Sequence, residues 1–144
     1  MPIPVRILKT HPDAVIPEYH TAGACAFDLS IIEDATIAPG QIARLRTGLV
    51  ICVPEGHVLF LSARSSLPMK RGLNVPHGFG LIDNDYCGPE DELLLQVRNF
   101  TDQPVEVKKG DRLLQGIFLP FERAAFEQVT QLTGPTRGGY GTTG

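Results

Sequence analysis

The sequence predicts an all-β fold: a sandwich, jelly roll or barrel of short strands with very little helix. Three observations lead there. Twelve prolines and fifteen glycines interrupt the chain every few residues. The runs between them are short and rich in β-branched and aromatic residues, the pattern of strands bounded by turns. Only the stretch 66–71 has helix signals, a Ser-Ser-Leu entry and a Gly72 exit. Helix content should stay under about a tenth, against a usual share near a third.

The expected strands are, in order, 5–8, 26–32, 42–53, 57–62, 93–100, 105–107 and 112–121. In the third, Ile42, Leu45, Leu49, Ile51 and Val53 recur mostly at odd offsets. That is a strand broken by a bulge or bend near Thr47-Gly48. Pro39-Gly40 and Pro54-Glu55-Gly56 are tight turns. Lys108-Lys109-Gly110-Asp111 is another, leading into Arg112-Leu113-Leu114-Gln115.

Gly80-Leu81-Ile82-Asp83-Asn84-Asp85-Tyr86-Cys87-Gly88 reads as a hairpin: a short apolar strand, a turn and a second strand. Asp83 ends the first strand as an exposed carboxylate, and Tyr86 comes three positions later. The chain closes in a glycine- and threonine-rich stretch that cannot pack a core. The expected division is therefore a β domain over 1–132 and an arm over 133–144 that is mobile without ligand.

A chain of 144 residues is one domain. It buries roughly 70% of its unfolded surface, enough for a core without metal or disulfides. A net charge of -3 argues against a broad nucleic-acid-binding surface. Cys25, Cys52 and Cys87 match no zinc spacing, and their odd number fits packed, reduced thiols. No apolar run is long enough to span a bilayer, and the first residues carry no signal-like apolar core. The expectation is a cytoplasmic protein with neither nucleic-acid nor membrane partners.

Several segments carry chemistry. Arg64-Ser65-Ser66-Leu67 opens the short helix, where N–H groups, hydroxyls and a guanidinium suit anionic oxygens. Asp83 lies in an apolar frame with Asp85, Glu90, Asp91 and Glu92 nearby, and one such carboxylate suits a general base. Asp28, inside a strand pattern, is a candidate to hold a metal directly or through water. Arg137-Gly138-Gly139-Tyr140-Gly141-Thr142-Thr143-Gly144 is no P-loop, lacking the Gly-Lys-Thr ending. Its glycines nonetheless allow close wrapping of phosphates, and its aromatic can stack on a base.

Taken together, these segments resemble the trimeric dUTPase family. Ala24-Cys25-Ala26-Phe27-Asp28-Leu29, the Arg64 segment, the Gly80 segment, Gly110-Asp111-Arg112-Leu113-Leu114-Gln115 and the Arg137 segment match its motifs in order. The resemblance implies a jelly-roll-like subunit in a homotrimer, with active sites at the subunit interfaces. It implies hydrolysis of dUTP to dUMP and pyrophosphate, which limits uracil in DNA and supplies dUMP for thymidylate synthesis.

By the same match, Asp83 activates the water that attacks the α-phosphorus. Asp28 acts on Mg²⁺ through its water shell. Arg64, Ser65, Ser66 and Gln115 contact phosphates. Gly80, Ile82 and His77 lie near the base, and Tyr86 packs under the deoxyribose. Arg137, Gly141, Thr142 and Thr143 reach the terminal phosphates, and Tyr140 stacks over uracil. The run Gly88-Pro89-Glu90-Asp91-Glu92 is longer than the family's usual exit, which implies an altered loop beside the pocket. The related dCTP deaminases are disfavoured: they need a titrating Glu where Gln96 stands and an Arg where Met69 stands.

Overall fold

The computed structural model describes residues 1–142. They form short antiparallel strands and one helical turn, Leu67–Arg71. The strands are β1 (Arg6–Lys9), β2 (Phe27–Ser30), β3 (Ala35–Ile37), β4 (Ile42–Arg46), β5 (Leu49–Cys52) and β6 (His57–Ala63). After them come β7 (Leu73–Asn74), β8 (Gly80–Ile82), β9 (Leu94–Asn99), β10 (Val105–Val107) and β11 (Arg112–Pro120). The fold is the all-β, jelly-roll-like arrangement that the sequence predicts.

A four-stranded sheet runs β2-β11-β6-β8, and a three-stranded sheet runs β4-β9-β7. Two ribbons, β1-β5 and β10-β3, complete the body. Alternation, broken by an irregularity in β11 between Arg112 and Leu114, decides which side chains face inward. Leu59, Leu61, Leu113 and Leu114 from the larger sheet are buried with Leu45, Leu95 and Val97 from the smaller one. Leu67 anchors the helical turn in the same core, and Gly72 ends that turn in a left-handed conformation at φ 65°.

The bend expected near Thr47-Gly48 separates β4 from β5. Gly48 has φ 68°, and a Cβ there would stand 2.9 Å from that of Ala14, so the position takes only glycine without strain. Thr47 is buried, but its hydroxyl donates to the Leu93 carbonyl at 2.6 Å and accepts from the Leu49 N–H at 3.2 Å. Asn99 is equally buried and fully bonded. Its amide donates to the carbonyls of Ile37 and Gln103, and its oxygen accepts from Thr101.

Two expectations need correction. The Gly80 segment is not a two-stranded hairpin. β8 pairs with β6, Gly80 opposite Leu61 and Ile82 opposite Leu59, and beyond Ile82 the chain is a loop as far as β9. The apolar Gly-Leu-Ile run finds a buried partner strand, whereas Asn84, Asp85 and Gly88 favour turns over a ladder.

Nor are all three cysteines thiols. Cys52 and Cys87 form a disulfide, their Cα atoms 5.0 Å apart, and Cys25 is free and exposed. Folding lays the loop after β8 against the end of β5, within the reach a bridge requires. The two cysteines are 35 positions apart in sequence, so their adjacency is a tertiary fact.

Candidate active site

The four-stranded sheet carries two groups of candidate residues at opposite corners. At the first corner, Gln115 of β11 pairs with Asp28 of β2 on one side and Ser62 of β6 on the other. Residues in register project to the same face. Gln115 is fixed by donating from Nε2 to the Ala63 carbonyl at 3.1 Å.

Asp28 is the hub of this corner, its side chain 12% exposed. One carboxylate oxygen forms an ion pair with Arg64 Nε at 2.9 Å, and the other with Arg112 Nη1 at 3.2 Å. Arg64 also donates from Nη1 to the Arg112 carbonyl at 3.2 Å. Arg112 Nη1 lies 2.7 Å from His20 Nε2, which is itself 3.3 Å from Asp28. A guanidinium only donates, so Nε2 supplies the lone pair and the ring proton sits on Nδ1. Two arginines on one carboxylate leave an excess of positive charge, with guanidinium N–H groups to spare. That arrangement suits phosphate oxygens.

Sequence reasoning missed His20 and Arg112 as site residues. Arg112 was legible as a cation inside the Gly110 segment, but nothing in the sequence marks His20. Ser65 is exposed and Ser66 half-buried. Ser66 occupies the N-cap position of the helical turn but makes no side-chain cap bond.

Behind this corner, Asp111 steadies the turn before Arg112. Burial pushes its carboxyl up, but the Arg71 guanidinium at 2.7 Å and the Lys108 N–H at 2.8 Å outweigh that. The net effect holds it below the ordinary 3.8.

The second corner is the β8 edge. His77, Gly80 and Ile82 line a depression of about 210 Å³ with Leu94 and Gln96. Tyr86 shares Ile82, Leu94 and Gln96 in an adjoining depression of about 240 Å³. Both open between the larger and the smaller sheet. Gln96 accepts from Arg44 Nε at 3.3 Å. Asp83 lies just beyond β8, exposed, in a separate depression of about 450 Å³ with Glu55, Asp85 and Arg123. Among the described residues no hydrogen bond or ion pair engages its carboxylate.

The two corners do not meet within one chain. Ile82 is opposite Leu59, three residues along β6 from Ser62. Asp83, one residue further, is roughly 13 Å along the strand and 14 Å across from Asp28. That diagonal, on the order of 20 Å, exceeds what the Arg64 side chain spans.

Arg137, Tyr140, Gly141 and Thr142 lie in an extended tail. Among the described residues no hydrogen bond or ion pair joins 122–142 to the β body. The tail turns on itself, the Thr142 hydroxyl accepting from the Gly139 N–H at 2.8 Å. Tyr140 is fully exposed, with φ 52°. Thr143 lies outside the described residues.

A divalent cation fits this donor set in one way. Among the described residues no group of three or more His, Cys, Asp or Glu is placed to hold a metal. The Asp28 oxygens, paired with arginines, keep lone pairs to spare. That suits a hydrated ion held largely by substrate phosphates, and not a cage of protein ligands.

Comparison with known proteins shows the family. A family model described as dUTPase matches residues 13–144. A deoxyuridine 5'-triphosphate nucleotidohydrolase of Desulfitobacterium hafniense is 42% identical over 99% of this chain and 97% of its own length. Its Lactococcus lactis counterpart is 39% identical over 90% of this chain and 87% of its own. Among solved structures, a Streptococcus mutans dUTPase superposes with TM-score 0.76 at 33% identity, covering 85% of this chain and 98% of that one. A Staphylococcus bacteriophage 80alpha dUTPase with dUPNHPP reaches 0.85 at 20% identity, with 98% of each chain covered, which speaks for the fold alone.

Proposed function

The chain belongs to the dUTPase family and is a dUTP-hydrolysing enzyme, and we propose that Asp83 activates the water that cleaves dUTP to dUMP and pyrophosphate. The supporting observation is the state of that carboxylate: exposed, at a strand end, and without a protein partner among the described residues. An acid already bonded to an arginine, as Asp28 is, makes a poor proton acceptor. Asp83 is free to accept from water and to hold the proton as the water attacks the α-phosphorus.

In this reading a functional site combines Asp83 and its neighbours from one copy with Asp28, Arg64, Ser65, Ser66 and Gln115 from another. The separation of the two corners supports it, since one chain cannot bring them together. Exposed apolar residues support self-association. Phe79 and Leu81 on the β8 edge are 48% and 57% exposed, and Phe126 and Leu132 of the tail are 98% and 89% exposed. Apolar surface left uncovered on the β8 edge and along the tail is consistent with contact with another chain. A homotrimer is the assembly we propose.

Each remaining residue then has a task. Arg64 and Arg112 offset the charge of the phosphates. The depressions around His77, Gly80, Ile82 and Tyr86 take the base and deoxyribose, and Tyr86 leaves no room for a 2′-hydroxyl. Arg137, Tyr140, Gly141 and Thr142 close over the nucleotide and exclude bulk water. Asp28 would hold hydrated Mg²⁺ through its waters, and the ion would supply charge neutralisation at phosphate oxygens. The product dUMP would serve thymidylate synthesis, and removal of dUTP would keep uracil out of DNA.

The test is pyrophosphate release with Mg²⁺ and dUTP, dCTP, dTTP or UTP, with the nucleotide products resolved. Release from dUTP alone, giving dUMP, supports the reading. Equal turnover of UTP would remove the role given to Tyr86. Conversion of dCTP to a uracil nucleotide would move the chain to the deaminase branch.

A further inference from the structure

We propose that the Cys52–Cys87 bond is a thiol–disulfide exchange site that takes a dithiol reductant and governs nucleotide binding through the loop that carries Asp83 and Tyr86. The consequence for catalysis rests on the proposed dUTPase site; the bridge and its exchange do not.

Two observations carry the inference. The first is the bond itself, which joins β5 to the position directly after Tyr86. The second is the loop's other polar ties. Between Asp83 and Asp91 the hydrogen bonds are internal or reach only as far as Glu92. The Tyr86 N–H donates to the Asp83 carbonyl at 3.3 Å, and the Gly88 N–H to the Asp91 carboxylate at 2.7 Å. The Tyr86 hydroxyl donates to the Glu92 carbonyl at 3.0 Å.

Secure anchoring begins only at Glu92, whose carboxylate accepts from Arg46 Nε and from the Gly48 N–H. At the other end, β8 stops at Ile82. Among the described residues, the bridge is therefore the one covalent or hydrogen-bonded tether from 83–91 to the β body.

The bond is also reachable. Both cysteines are half-buried. They line a surface depression of about 350 Å³ together with Arg6, Gly88 and Pro89. A cation beside the sulfurs favours both an incoming and a departing thiolate. A reductant thiolate attacks one sulfur, and the other cysteine leaves as a thiolate and takes a proton. The second thiol of the reductant then resolves the mixed disulfide. The dithiol is oxidised by two electrons, and the protein gains two thiols. Bridges that a reductant can reach are the labile ones in a reducing compartment.

With the bridge open, the loop populates more conformations. Apparent affinity falls with the share of molecules whose loop is competent.

The full-length protein is prepared oxidised and after treatment with a dithiol, and free thiols are counted. Steady-state dUTP hydrolysis and amide hydrogen exchange over 84–91 are then measured in both states. The proposal predicts one thiol oxidised and three reduced, and faster exchange over 84–91 on reduction. It also predicts a KM for dUTP raised roughly three- to tenfold with a smaller change in kcat. Cys52→Ser should behave as the reduced protein in either condition, and Cys25→Ser should keep the full response.

Three thiols in the oxidised preparation would overturn the bridge. Equal exchange and equal KM in the two states would overturn its control of the loop. Absence of dUTP turnover in both states, with thiol counts and exchange as predicted, would strike the dUTPase reading and leave the exchange site standing.

Discussion

Arg64 Nε stands 2.9 Å from the Asp28 carboxylate, an ion pair that ties the residue after β6 to the middle of β2. The pair fixes a cation at one corner of the four-stranded sheet. Asp83, whose carboxylate has no hydrogen-bond or ion-pair partner among the described residues, sits at the other corner. In the proposed site, the first corner holds anionic oxygens and the second accepts a proton.

Asp83→Asn should abolish turnover and largely spare nucleotide binding. The amide keeps the size and removes the proton acceptor, so a loss of about 10²–10⁴ in kcat is expected from the general-base role alone. Single-turnover hydrolysis beside a binding titration with a non-hydrolysable dUTP analogue checks it. Retained turnover would remove Asp83 from the chemistry.

His20→Ala should release Arg112 from its 2.7 Å contact and weaken the hold on phosphate. The expected effect is a rise in KM of several-fold with kcat nearly kept. His20→Gln offers an acceptor oxygen and should recover part of the loss. If Gln were as impaired as Ala, the lone pair on Nε2 would not be what matters.

Deleting 137–144 should cut the rate by orders of magnitude without unfolding the body, because no hydrogen bond or ion pair ties the described part of that segment to the β sheets. Thermal unfolding measured beside activity separates the two effects. A large fall in Tm would show that the tail holds the fold together.

Asp111 should contribute to acid stability. Its carboxyl is held below 3.8 by Arg71 and Lys108 against the opposing pull of burial. A depressed folded pKa stabilises the native state above the unfolded value, and the contribution is lost as pH falls through the folded value. Asp111→Asn should therefore cost about 1 kcal/mol near neutrality, a modest figure for a partly exposed pair. The gap from the parent should narrow as the pH falls below 3.8 and through the depressed folded value. Denaturant titrations at several pH values check the convergence.

Much of the fold was legible because strand signals are local. β10 lies where the sequence places it, and the break at Gly48 reflects its neighbours and its φ of 68°. Short strands such as β3 and β7 carry too few residues for a pattern. The partner of β8 was not legible, since Gly-Leu-Ile pairs as readily with a strand after it as with β6. Nor was the Cys52–Cys87 bond, because 35 residues of separation say nothing about adjacency.

At the site, residue types marked Asp28 and Arg64 separately, as a metal and an anion candidate, and Gln115 entered only through the family resemblance; that Gln115 pairs in register with Asp28 is a property of the sheet. The bond from Arg112 to His20 spans 92 positions and has no signature in sequence. The distance between the two corners is likewise a property of strand order, which only the assembled sheet reveals.

The central claim is that Asp83 and Arg64 act in one site while belonging to different copies. Co-expressing Asp83→Asn with Arg64→Ala chains, each inactive alone, tests it most directly. Mixed assemblies pair an intact Asp83 from one chain with an intact Arg64 from the other. At equal mixing, about a quarter of the sites should regain dUTP hydrolysis. If the mixture stays as inactive as its parents, with mixed assembly verified, both residues serve from a single chain and the composite site is wrong.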